Sequence, residues 1–356
     1  MIPLLKYTFR KFQKNYATNY LDYHRFNFSK ICESVAIFRI NDFSEWTQNL
    51  YHKTFIFLLS LCWVFSANAE NSQLNFNPDS LRNNSKRLKT VLISEGAIYA
   101  GSLYLLNQFW YKDYPRSSFH FFNDNNEWLQ MDKVGHFTTS YYLGVSGIKL
   151  LKWAGLDQKK SVLYGGALGA VYLLNIEILD GFSSEWGFSV GDFAANTLGA
   201  AFAVGQELAW NEQRVLLKWS YHTTGYSKYR PNLLGNGLSQ TWLKDYNGQT
   251  YWLSANIASF LKQNSKFPKW LNVAFGYGAE GMIGANQNPI IYNDNIMPEF
   301  IRYRKFYLSP DIDFSRIKTK SKFLKGLFYT LNFIKFPSPA LEYSKEKKIR
   351  FIPVYL

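Results

Sequence analysis

Residues 161–179 read SVLYGGALGAVYLLNIEIL, and residues 190–210 read VGDFAANTLGAAFAVGQELAW. Each carries two small residues four apart, Gly165 with Gly169 and Gly199 with Ala203. That spacing puts each pair on one helix face, where the missing side chains let two backbones approach. Two segments of similar character come earlier, 91–109 (VLISEGAIYAGSLYLLNQF) and 137–153 (FTTSYYLGVSGIKLLKW). All four approach the length that crosses a hydrocarbon core. None is cleanly apolar, because Glu95, Lys149, Glu177, Asp192 and Glu207 interrupt them. Two arrangements fit: helices that span or enter a membrane with their acids facing inward, or a bundle that is a periplasmic domain or a re-entrant, membrane-apposed one, with partly wet acids.

Beyond residue 210 the pattern changes. Residues 211–245 hold many turn formers and read as connecting loops, with His222 exposed among them. Strand-like runs follow at 251–257, 271–277, 301–314 and 349–355, and the run at 300–314 partly alternates polar with apolar. Such alternation marks half-buried strands or barrel strands. Five to eight strands are expected, as a partial sheet against the helical core rather than a closed barrel. Within 321–336, Phe323, Leu324, Leu327, Leu331 and Ile334 share an apolar helix face, with lysines at the ends. This amphipathic helix could lie on a membrane surface or pack over a small sheet, and the expectation is that it covers the sheet. The fold class is therefore α+β: a glycine-rich, membrane-associated helical bundle, then a β-rich C-terminal region with one amphipathic helix.

Composition points the same way. Of 356 residues, 47% are hydrophobic, 19% aromatic and only 19% charged. A soluble domain carries nearer a quarter charged residues, and aromatic rings suit membrane interfaces. The formal net charge is +14, but the cationic pairs are scattered, as at Lys86-Arg87 and Lys347-Lys348, and no nucleic-acid module is present. Anionic lipid or other envelope components fit this basic surface, and nucleic acid is not expected as a partner.

Residues 53–69, KTFIFLLSLCWVFSANA, have a basic flank, a short apolar run and the small-x-small site Ala67-Asn68-Ala69. This is the pattern of a cleaved signal peptide. Residues 1–52 then read as an extended or misassigned preface, and 70–89 as a polar linker before a helical core at 90–210. The β-rich region occupies 246–356. Cys32 and Cys62 both precede the cleavage point, so the exported chain has no disulfide and no thiolate site. Cys62 does not sit where a lipid-bearing cysteine would.

The polar residues of the helical segments form a constellation. Asp132 and His136 in MDKVGHF are four apart and share a helix face, with Lys133 beside them. Glu177 and Asp180 share another face, and so do Asp192 and Asn196, with Ser189 placed to cap that last helix. Folding that joins these faces puts Asp132, His136, Glu177, Asp180 and Asp192 around one cavity. The set suits a divalent cation, general acid–base chemistry, or a satisfied structural network. Catalytic candidates are His136, Asp132 and Glu177; metal-ligand candidates are His136, Asp132, Glu177, Asp180 and Asp192. No other cofactor is defined.

The runs DKVGHF (132–137) and GDFAANTLGA (191–200), with Glu177 and Asp180, resemble the YfiM/DUF2279 family of uncharacterised envelope proteins. They are distantly similar to VanZ-like membrane proteins. The resemblance spans roughly residues 90–210, and its motif positions are Asp132, Lys133, Gly135, His136, Gly191, Asp192, Asn196 and Gly199. The VanZ-like pattern also places a Gln and a basic residue after its acid, and none follows Glu177 before Asp192. The resemblance implies an envelope location, on the periplasmic face or in the outer membrane, and no set reaction. The leading functional reading is a structural or interaction role at the membrane. The alternatives are a metal-dependent enzyme acting on a lipid-linked or phosphorylated envelope substrate, and an outer-membrane channel or transport component.

Overall fold

Helices form where the long apolar segments lie, and their glycines decide how they pack. The computed structural model describes residues 80–111, 114–262 and 264–355. The signal-peptide reading, both cysteines and the preface lie outside these residues. Helix α1 (Ser80–Leu106) starts within the stretch read as linker and ends in a wide turn, Asn107–Tyr111. Helix α2 is Met131–Trp153, α3 is Gln158–Gly181 with a wide turn at Ser161–Gly165, and α4 is Val190–Trp210. Asp157 caps the start of α3, and Ser189 caps α4 by accepting from the Asp192 amide.

Helices α2, α3 and α4 pack in a three-way contact. A Cβ on Gly165 would lie closer than 3.0 Å to the Gly147 backbone, one on Gly169 to the Ser140 backbone, and one on Gly199 to the Phe137 carbonyl. Main chains therefore touch where the small-residue faces were read. Tyr141, Val145, Ile148, Val162 and Ala203 fill the rest of this contact. Helix α1 joins through Val91 against Leu151 and Ala154.

The second half is an antiparallel sheet in the order β1-β2-β3-β6-β7-β8. Its strands are β1 (Val215–Tyr221), β2 (Gln249–Asn256), β3 (Leu271–Glu280), β6 (Tyr303–Ile312), β7 (Ser338–Ser344) and β8 (Lys348–Tyr355). Between β3 and β6, β4 (Ile291–Tyr292) and β5 (Asn295–Ile296) form a small hairpin. Its turn residues, Asn293 and Asp294, have φ of 49° and 60°, the left-handed pair that a tight hairpin turn requires. Helices α5 (Pro231–Leu234) and α6 (Leu238–Lys244) connect β1 to β2.

The sheet curls on itself. In a flat sheet β2 and β8 would stand about 19 Å apart, four strand spacings. Yet the Thr250 and Tyr355 hydroxyls are 2.8 Å apart, and Lys218 of β1 reaches Asp311 of β6 at 2.9 Å. On the free edge of β1, Trp219 pairs its backbone with Phe333 and Lys335.

The stretch 211–245 is not only loop, since it contains β1, α5 and α6; moreover, His222 is half-buried beside the Tyr355 ring. β1 escapes an alternation test because its outer side is covered: the Tyr142 hydroxyl of α2 donates to the Leu217 carbonyl. The C-terminal helix α7 is Lys322–Leu331, shorter than 321–336. It ends where the buried Asn332 side chain turns back to Asp313 and Phe314. Leu324, Leu331 and Ile334, read as covering the sheet, are exposed.

Candidate functional site

The site lies at the N-terminal end of α2, and an unusual backbone places it there. Trp128, Leu129 and Gln130 have φ of 49°, 51° and 66°. Left-handed non-glycine residues cost roughly 1–2 kcal/mol each, so the surroundings must hold them. The Trp128 amide donates to Ala285 at 2.9 Å, the Tyr277 hydroxyl donates to the Leu129 carbonyl, and Arg304 donates to Gln130. The Trp128 ring is buried with Met131, Leu234, Met282 and Ile283. The start of α2 is thus fixed against the sheet half, and Asp132, Lys133 and His136 follow from that anchor.

Lys133 is the hub. Its Nζ lies 2.7 Å from Asp124, 3.3 Å from Asp132 and 2.9 Å from Asp192. The Ser189 hydroxyl donates to Asp124 at 2.6 Å, and the Tyr246 hydroxyl donates to Asp132 at 2.8 Å. Burial alone would raise the Asp124 carboxyl, but hydrogen bonding within the cluster and the Lys133 charge hold it below the ordinary range.

His136 sits one turn further along α2. Its Nδ1 is 3.1 Å from Asn196 Oδ1 and 3.6 Å from Glu177 Oε1. Its Nε2 is 3.9 Å from both Asp132 Oδ1 and Asp192 Oδ1. With Nδ1–H donating to Asn196, a neutral ring would aim the Nε2 lone pair at two carboxylates. An imidazolium proton, a bound cation, or the other tautomer with Nε2–H toward the carboxylates and the Asn196 amide turned to donate to Nδ1 each satisfies this side of the ring. One ligand atom each from Asp132, His136 and Asp192 falls within 4.8 Å of the others. Two ligands about 2.1 Å from one ion stand about 3.4 Å apart at the tetrahedral angle, so a modest inward movement closes the set.

Asp124, Asp132, Glu177 and Asp192 surround one lysine and one histidine. Glu177 Oε1, Asp192 Oδ1 and Asn196 Nδ2 are buried without a hydrogen-bond partner. Lys133 Nζ is near both Asp192 oxygens, but only Oδ2 lies along a hydrogen-bond direction.

Of the residues singled out in sequence, Asp132, Lys133, His136, Glu177, Asp192 and Asn196 come together. Asp180 stands aside, accepting from the Tyr111 hydroxyl at 2.6 Å. Gly191 leaves room that a Cβ would take from Asn125, and Gly135 lies under the Tyr251 hydroxyl. Asp124 and Tyr246 were not singled out. Asp124 lies in an Asn-rich loop with no periodicity, and Tyr246 follows a separate helix more than a hundred residues away in sequence. No curated protein and no solved structure gave a match to this chain. Residues 120–207, which supply Asp124 through Asn196, match the family model described as "Predicted periplasmic lipoprotein (DUF2279)".

Proposed function

We propose that this is a cell-envelope protein held in a membrane by the apolar outer faces of its helices and sheet, with a structural or interaction role there. The observation that carries the reading is an inverted distribution of charge. From Ser161 to Trp210, Glu185 is the one charged residue at an exposed position, while Leu163, Val171, Phe193, Leu198 and Leu208 are exposed. Glu177, Asp192 and Glu207 of the same stretch are buried. The sheet repeats the inversion. Lys218, Asn256, Asn272, Lys305, Asp311 and Glu342 point into the curl, while Leu253, Phe275, Leu308, Leu341 and Phe351 point outward. In water this pattern is costly; in lipid it is the expected one. Strands β3 and β6 have 10 residues each, within the roughly 9–11 that cross a bilayer. Among the described residues one helix, Gln158–Gly181, is long and apolar enough to cross. The family description names a periplasmic lipoprotein, which agrees with an envelope location; the reading here rests on the apolar faces and assigns no lipid to Cys62.

The test is alkaline carbonate extraction of membranes from cells producing the full chain. The protein is expected to stay with the membrane and to need detergent for release. Release by carbonate, followed by a monodisperse detergent-free protein, would end this reading.

A second reading is favoured by the unfilled geometry at His136 Nε2. Here Asp132, His136 and Asp192 bind a divalent cation, with Glu177 behind His136, and the site acts on a phosphorylated or lipid-linked envelope substrate. Metal analysis of the detergent-purified full chain decides it. About one divalent ion per chain, lost in His136→Ala, is expected. A metal-free parent whose His136→Ala variant loses only stability would leave Lys133 as the cation of a structural network. The channel reading has less support, because Trp252, Tyr307, Tyr355, Lys218 and Lys335 fill the inside of the curl.

A further inference from the structure

The chain from Phe314 to Leu341 contains Arg316, Lys318, Lys320, Lys322, Lys325 and Lys335 and no acidic residue. It follows directly on the outward apolar face of β6. Two of these cations are already balanced. Arg316 pairs with Asp313 at 3.0 Å and Glu212 at 3.1 Å, and Lys335 is buried inside the sheet near Asp311. Among the described residues, Lys318, Lys320, Lys322 and Lys325 form no ion pair. Four unbalanced lysines therefore stand together at one end of the sheet.

A cavity of about 220 Å³ opens at this place, between the turn Phe314–Arg316 and α7. Its wall includes Arg316, Lys318, Thr319 and Lys325, and its apolar side is Phe314 and Phe328. A water takes about 30 Å³ in the liquid, so the space admits a phosphate group. Leu324, Leu331 and Ile334 are exposed on and just after the same helix. A cationic recess beside exposed aliphatic side chains matches an amphipathic lipid, charged at one end and apolar at the other.

The position along the sheet agrees. On the outward face of β6, Arg304 is followed by Phe306, Leu308, Pro310 and Ile312, and then the cationic turn begins. Eight residues at about 3.3 Å each carry β6 roughly 26 Å from Arg304 to Ile312, the last strand residue before the turn, and a tilted strand of this length crosses a hydrocarbon core. The cavity would then sit at headgroup level.

We propose that this cavity is a headgroup site for an anionic membrane phospholipid, whose phosphate is taken by Lys318 and Lys325 while its chains lie along α7 and the adjoining sheet. This rests on the membrane reading above and adds the lipid class and its contact point.

The test uses the full chain in detergent micelles, with its unfolding midpoint followed as lipid is added. Phosphatidylglycerol is expected to raise the midpoint; phosphatidylcholine and inorganic phosphate are expected to leave it. The double variant Lys318→Glu/Lys325→Glu should keep the lipid-free midpoint and need about tenfold more phosphatidylglycerol for the same rise. Lys345→Glu/Lys348→Glu, at the other end of the sheet, should respond like the parent. An equal response to phosphatidylcholine, an unaltered response of the Lys318/Lys325 variant, or an equal effect of inorganic phosphate would each overturn the headgroup site. Carbonate extraction of the same variant separates the two ideas: release of parent and variant alike strikes the membrane reading, whereas retention of both with no lipid selectivity strikes only this one.

Discussion

Asp311→Ala is expected to destabilise the protein by about 3–5 kcal/mol, the cost of removing one partner from a buried ion pair. Asp311 and Lys218 are both wholly inaccessible, with side-chain exposure of 0%, and meet at 2.9 Å. Asp311 also accepts from the Ser254 hydroxyl at 2.6 Å and faces Lys335 at 3.8 Å. Its removal strands the Lys218 ammonium, which among the described residues keeps the Ile312 carbonyl at 2.6 Å and the Phe314 ring. Lys335 is less exposed to the change, because Pro310, Phe336 and Ser338 each accept from it within 2.9 Å. Burial already pushes its ammonium down to about 8. For a unit of this size the loss corresponds to a fall of roughly 10 °C in melting temperature. Lys218→Met combined with Asp311→Asn should recover part of it, since the stranded Lys218 ammonium is then gone, while Lys335 keeps its three oxygen acceptors. Melting of the detergent-purified single and double variants is the measurement. A single variant that melts with the parent would mean that these side chains do not face each other inside the curl.

The prediction also explains why one half of the molecule was harder to read than the other. Alternation at 300–314 was visible in sequence, but alternation does not say which face points inward. In β6 the buried set is Lys305, Tyr307, Ser309 and Asp311, and the outward set includes Phe306 and Leu308. Only the cross-sheet contacts of Lys218 and Tyr355 reveal the sense of the curl. β1 was hidden for a different reason. VLLKWSY meets helix α2 on one side and the sheet interior on the other, so its burial does not alternate cleanly.

The helices were legible because their signal is local. Apolar length and four-residue spacing of small side chains are properties of a single segment. The same holds for Asp132 with His136 and for Asp192 with Asn196, each pair fixed on one helix face before any packing is known. Their convergence needed α2 and α4 to lie side by side, which the glycine faces favour. Asp124 and Tyr246 reach the cluster from loops, held there by the left-handed turn at Trp128–Gln130 and by packing against the sheet half. Nothing periodic in sequence announces contacts of that kind.

Gly165→Val should have the second large effect, and it couples the helix contact to the site. Gly165 faces Gly147 backbone to backbone, and even a Cβ would fall closer than 3.0 Å to Gly147 and to the Ile148 amide. No flexible side chain is available to yield, so α2 and α3 must separate. Overpacking of a tight contact costs typically about 1–3 kcal/mol, and a branched side chain against main chain belongs at the upper end. Separation also draws Glu177, on the same helix, away from His136 Nδ1, now 3.6 Å distant. If the site holds a divalent ion, Gly165→Val should therefore weaken it as well as lower the melting temperature. Gly205→Ala is the control. Gly205 is exposed on α4 with nothing within 4 Å of an added Cβ. Alanine there should be neutral or stabilising by roughly 0.5–1 kcal/mol, since it removes backbone freedom from the unfolded chain and creates no clash. Melting curves of the two variants separate a general intolerance of glycine replacement from a specific main-chain contact. Equal destabilisation by both would remove the Gly147–Gly165 contact as the reason these helices sit so close. A fall confined to Gly165→Val, accompanied by weaker ion binding, would tie the geometry of the carboxylate–histidine cluster to a single pair of glycines two turns or more away.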